Sequence, residues 1–213
     1  EQPDADIALA NIADSHKTVK RALLYRSRDK YDPGAFGKEA QKGPDCTSHG
    51  DRSAFDITRS VEIDIKGEAE EYFLRSVTEF GYGMRGSRGG GSSPAVLARA
   101  KRDYGTLFRQ KYENLGLDLS TYTYSIGANW GGRGVPASVK EEAKKHPIGE
   151  LIVPKSLDQA LDCLANGYAG HSGQSFACSS SQPSDGINRK KGSWNHDMAT
   201  TGYDFSKEIW KEE

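Results

Sequence analysis

Apolar residues recur at helical intervals through the first half of the chain and shorten into alternating runs in the second. Residues 1–30 carry Ile7, Leu9, Ile12, Val19, Leu23 and Leu24 among polar neighbours, the spacing of a polar helix. Asp32-Pro33-Gly34 ends it and opens a linker to Gln41. Residues 46–80 keep helical spacing in two pieces divided at Gly67-Glu68. Phe55, Ile57, Val61, Ile63 and Ile65 lie on the first piece, and Tyr72, Phe73, Val77 and Phe80 on the second. Val61–Ile65 also alternates as a strand does. Gly81 to Ser93 is a glycine-rich loop. Ser93 then reads as an N-cap with Pro94 at the first helical position, which predicts a helix over Ala95–Tyr104 ended by Gly105.

The second half changes period. Thr106–Tyr112, Thr121–Ile126 and Glu150–Val153 read as strands or short extended pieces. Ser156 caps a helix over Leu157–Ala165 that stops at Asn166-Gly167. A strand follows from Tyr168, then a polar loop over 179–192, then a strand over Ser193–Tyr203. A helical first half and a β-rich second half predict an α+β protein of two lobes with a cleft between them.

Composition narrows the partners. The 213 residues are 35% hydrophobic and 28% charged, with net charge −1, so no global field draws the chain to nucleic acid or anionic lipid. The basic residues of the first segment, Lys17 to Lys30, read as a solvated helix face rather than a nucleic-acid arm. No apolar run approaches the roughly 18 residues of a membrane helix, and no signal peptide is visible. A cytoplasmic or virion-associated protein is expected. Cysteines at 46, 163 and 178 are too few for a disulfide framework; Cys163 and Cys178 could pair, and a reducing compartment fits as well. Glu1 at the start and Lys211-Glu212-Glu213 in mid-pattern at the end suggest a segment of a longer protein.

The candidate chemistry gathers at Gln41–Phe55. Gly43-Pro44-Asp45 is a turn, Asp45 a candidate helix cap, and Cys46 falls in the first helical turn, where free N–H groups and the helix dipole favour an anion. The thiolate is the form that attacks carbonyls. Other motifs fall away. Gly81-Tyr82-Gly83-Met84-Arg85-Gly86 matches a dinucleotide fingerprint, but no helix follows it. Gly170-His171-Ser172-Gly173-Gln174 lacks the second glycine of a nucleophile elbow. The Arg85–Gly91 stretch has no interleaved aromatics for nucleic acid. Cys46 and His49 have metal-ligand spacing, and His171 and Cys178 could complete a zinc set, but neither pair forms a recognised zinc motif, so neither metal nor cofactor is expected. Among the histidines, His16 and His146 are expected at the surface, and His49 lies one turn past Cys46. His171 stays open. His196 alternates with Met198 and Thr200 on one strand face.

Gln41, Cys46 opening a helix, Gly89-Gly90-Gly91 about forty residues on, and a late Gly192-Ser193-Trp194-Asn195-His196 strand together resemble the papain-like cysteine peptidases. That family sets its histidine roughly 130–150 residues after the cysteine, and the step from Cys46 to His196 is 150. The resemblance covers about residues 38–205. It implies a domain over 41–213, with a helical lobe over 41–105 and an antiparallel β-rich lobe over 106–213, preceded by a helical arm and linker over 1–40. It implies Cys46 as nucleophile, His196 as base and then acid, and the Gln41 amide with the Cys46 N–H as oxyanion hole. Gly89, Gly90 and Gly91 would form the wall for an extended substrate, a peptide or peptidoglycan amide. Pro-Asp before Cys46 and Thr-Ser-His after it replace the family's usual Gly-Ser-Cys-Trp, as in divergent domains of bacteria and their viruses. The asparagine that orients the histidine is expected at about position 214, past the last residue, by strand-pairing geometry. The competing expectations are a papain-fold structural or binding module in a larger assembly such as a virion, acyl transfer to an amine, and a zinc-stabilised module.

Overall fold

The computed structural model describes residues 9–35, 39–67, 73–149, 151–178, 184 and 189–206. Its long helix is Cys46–Asp64, 19 residues, labelled α3 after α1 (Ser15–Thr18) and α2 (Tyr25–Tyr31). Two rows on this helix are buried. Gly50, Ala54, Ile57 and Val61 form one, and Ser48, Arg52, Asp56 and Ser60 form the other. Both follow the three- and four-residue steps that bring side chains to one face. The helical period of Val61–Ile65 prevails over its strand-like alternation, because α3 runs on to Asp64.

The polar row needs charged partners, since buried ions cost stability unless paired and hydrogen-bonded. Neighbouring segments supply them. Arg28 of α2 pairs with Asp56 at 3.4 Å, and Asp56 also accepts from the Ser76 N–H at 2.9 Å and hydroxyl at 2.7 Å. Arg52 meets Glu39 at 3.2 Å. Glu39 is chelated by Arg109 at 2.9 and 3.0 Å, and Arg109 also holds Glu79 at 2.7 Å. Arg75 pairs with Asp32. The four arginines and four carboxylates named here balance in charge.

Two apolar clusters flank this network. One gathers Val77, Phe80, Leu107, Tyr112, Leu119, Val135, Val139 and Ala143 under α4 (Thr78–Gly83) and α7 (Ala137–Ala143). The other joins Ala22, Leu24, Ile57, Val61 and Leu164. Between α4 and α7 come α5 (Pro94–Tyr104), the strand pair β2 (Lys111–Tyr112) and β3 (Leu117–Asp118), and α6 (Tyr124–Arg133). The chain then forms α8 (Leu157–Ala165), whose Ser156 hydroxyl accepts from the Gln159 N–H as its cap. It ends in a two-stranded antiparallel ribbon, β4 (Gly170–Cys178) with β5 (Lys190–Thr200), and in β6 (Gly202–Asp204).

The helices and small antiparallel sheets make an α+β protein. Several local expectations need correction. The first segment is not one helix: β1 (Arg21–Leu23) interrupts it and pairs antiparallel with β6, a partner far along the chain. His16 is not at the surface; its Nδ1 lies 2.7 Å from Asp162 Oδ1. Of the stretch over Thr121–Ile126, the first three residues are irregular and Tyr124–Ile126 begin helix α6, and only Lys111–Tyr112 of Thr106–Tyr112 is strand. Residues 151–153 are irregular, and Glu150 and Glu68 lie outside the described residues. With α6, α7 and α8 the second half is as helical as it is extended.

Candidate active site

Cys46 is the first residue of α3 and is half-buried. The turn before it is built by Gly43-Pro44-Asp45, with the Asp45 N–H donating to the Gly43 carbonyl at 2.9 Å. Asp45 does not cap the helix with its side chain. Its carboxylate turns inward, where the Tyr122 hydroxyl donates to Oδ2 at 2.6 Å and His49 Nε2 lies 3.6 Å away. His49 meets the Tyr122 ring edge-on at 5.0 Å. Burial first, and the Asp45 carboxylate after it, push the Tyr122 hydroxyl well above its usual range. Asp45, Tyr122 and His49 thus form a buried polar knot behind Cys46.

The glycine loop lies beside this turn. The Gly91 N–H donates to the Pro44 carbonyl at 2.9 Å, and the Thr47 hydroxyl donates to the Ser92 carbonyl at 3.2 Å. A Cβ on Gly90 would overlap the Pro44 ring, and Gly91 has φ +80°, so both positions need glycine. Arg85 anchors the loop. It donates to the carbonyls of Gly89 at 3.0 Å, Tyr82 at 2.6 Å and Gly127 at 2.9 Å, and its guanidinium stacks 3.7 Å from the Tyr82 ring centre. Gly89–Gly91 therefore flanks the residues that open α3. Gln41 sits on the same turn with its side-chain amide donating to the Gly43 carbonyl.

The ribbon approaches from the other side. Asp197 packs on Gly50, where an added Cβ would overlap its Oδ1. Further along, the Ala169 N–H donates to the Thr58 hydroxyl at 3.0 Å, and Tyr203 packs on the cluster holding Ile57 and Val61. So β5 runs beside α3 in the same direction, with Asp197 level with Gly50 and its Thr200 end toward Thr58. Cys46 and Gly50 are about 6 Å apart along the helix axis, and His196 is one strand step of about 3.3 Å before Asp197. His196 thus reaches the level of the first helical turn. Alternation turns its side chain to the ribbon face opposite Asp197, beside Gln174 across the ladder, and its ring packs 4.6 Å from Trp194. Among the described residues no hydrogen bond joins Cys46 to His196.

Three features of the site escaped the residue pattern. His171 Nδ1 lies 2.9 Å from Asp197 Oδ1, and its Nε2 is 3.8 Å from Asp51, which pairs with Lys101 at 2.9 Å. The His171 ring is therefore turned down α3, away from Cys46. The anchoring by Arg85 and the Tyr122–Asp45 bond also join residues distant in sequence. Strand alternation, which separates Asp197 from His196, was the available signal for the first. No group of three or more His, Cys, Asp or Glu side chains among the described residues is arranged to hold a metal. A cavity of roughly 1480 Å³ on another side of α3, lined by Phe55, Arg59, Ala98, Ile148 and Leu161, includes neither Cys46 nor His196.

No protein-family model matches the chain, and no curated protein does. Among solved structures it is similar to xylellain, a cysteine protease from Xylella fastidiosa. The TM-score is 0.51 with 15% sequence identity, over 88% of this chain and 70% of that one. Identity so low speaks to fold alone. The chain thus shares its fold, distantly, with a cysteine protease.

Proposed function

We propose that the chain is a two-lobed papain-fold thiol hydrolase that cleaves amide bonds in peptides or peptidoglycan. Cys46 Sγ attacks the carbonyl carbon. His196 takes the thiol proton, then gives it to the leaving amine as the tetrahedral intermediate collapses to a thioester, and water, activated by the same imidazole, releases the acid. The Cys46 N–H and the Gln41 amide, once it leaves Gly43, bind the developing oxyanion; one such donor typically contributes about 100–1000-fold in rate. Gly89–Gly91 offers bare main chain to an extended substrate.

The observation that supports the reading is the packing of Asp197 on Gly50, which brings β5, the strand of His196, beside the helix that Cys46 opens. A peptidyl epoxide or iodoacetamide tests it. Cys46 should be labelled far faster than Cys163 and Cys178, and His196→Ala should slow it; equal labelling of all three cysteines in the folded protein would overturn it.

Two observations favour a second reading, a papain-fold binding or structural module of an assembly such as a virion. Gln41 donates within its own turn, and His196 rests on Trp194. A fixed stoichiometric copy number in a purified assembly, with unreactive Cys46, would favour the module.

A further inference from the structure

Taking Cys46 and His196 as the reacting pair of the proposed function, we propose that His171 and Asp197 are positioning residues, a latch against Gly50 that sets His196 at the level of the helical turn that Cys46 opens. Asp197 is 4% exposed. One of its carboxylate oxygens meets His171 Nδ1 at 2.9 Å, and the other is buried with no hydrogen-bond partner among the described residues. A buried carboxylate held by a single side chain keeps its place only while that partner stays. His171 is fixed in turn by Asp51 at 3.8 Å, and Asp51 by Lys101 at 2.9 Å, whose ammonium lies 4.4 Å from the Phe55 ring centre. Asp51 and Phe55 belong to α3 and Lys101 to α5, so the chain of contacts runs from the ribbon into the helical core.

Gly50 is what lets the ribbon sit this close. Any side chain there would collide with Asp197 and stand 3.5 Å from the His171 Cβ. Farther down α3, Ala169 and Gly167, which lead into β4, meet Thr58 and Val61. The latch is therefore the contact nearest to His196 that fixes how far along α3 the ribbon sits. His196 is the next residue on β5, so a shift of the latch is carried to the imidazole almost undiminished. Displacement of a catalytic group by about 1 Å can cost 100-fold.

The experiment measures iodoacetamide labelling of Cys46 by peptide mass spectrometry across pH 4–9, with circular dichroism of each variant. Wild type should show labelling at acid pH that vanishes in His196→Ala. Gly50→Ala should lose about 100-fold of that acid-pH labelling while keeping its helical signal, since alanine is the better helix former. His171→Ala should lose it too, and His171→Asn, whose amide can donate where Nδ1 does, should restore it. A Gly50→Ala or His171→Ala protein that keeps wild-type labelling at acid pH overturns the latch while leaving the Cys46–His196 pair intact. Should Gly50→Ala not fold, the His171 pair decides alone. Absence of any His196-dependent labelling in wild type overturns the proposed function itself, and the latch with it.

Discussion

At the scale of single residues, the surroundings of Cys46 are set by groups that do not react. Asp45 is 1% exposed, with Oδ1 buried and unpartnered and Oδ2 held by Tyr122. Removing that hydroxyl leaves a buried carboxylate without its strongest donor, because His49 stands off at 3.6 Å. Tyr122→Phe should therefore lower stability by about 1.5–3 kcal/mol, the range for a hydrogen bond to a charged group. Urea unfolding monitored by circular dichroism measures it, and an unchanged midpoint would show that the bond contributes nothing. Tyr122 was invisible in the sequence as part of the site, since 77 residues separate it from Asp45. Asp45 was legible as a residue at the helix start, but its side chain serves the interior rather than the cap.

At the scale of elements, local signals carried the reading and distant pairings defeated it. The start of α3 at Cys46, Pro94 opening α5 and the Ser156 cap of α8 were legible because each depends on a few adjacent residues. The first segment misled because the partner of β1 is β6, at the other end of the chain. The Thr121-Tyr122-Thr123-Tyr124 alternation imitates a strand, yet Gly127 and Gly131 behind it let α6 press against Glu79 and Arg85, and packing overrides propensity.

The ion network that joins α2, α3 and α4 makes a prediction of its own. Burial alone would raise Glu39, but Arg109, Arg52 and Arg75 outweigh it and hold its carboxyl below the ordinary 4.5. A depressed carboxylate contributes stability that is present above pH 4.5 and is lost as pH falls through the lower folded value. Asp56 works in the opposite sense, its carboxyl raised by burial. Glu39→Gln should cost about 3–5 kcal/mol at pH 6, as breaking a buried pair does, and should flatten the fall of Tm below pH 4.5. Parallel falls in the two proteins would show that Glu39 is not the titrating group.

At the scale of the whole molecule, the order of the parts was legible and their facing was not. Cys46 at a helix start, a glycine loop beside it and His196 on a late strand are where the pattern put them. Which way His196 faces depends on ribbon register and on Gly50, Asp197 and His171, side chains that only the folded chain brings together. The central claim is the meeting of Cys46 and His196. Its most direct measurement is the distance from Cys46 Sγ to the nearer His196 ring nitrogen in a crystal structure with a peptidyl epoxide adduct on Cys46. A separation of about 4 Å or less, hydrogen-bond reach for sulfur, is expected; a His196 still packed on Trp194 and well beyond that reach would contradict the pairing.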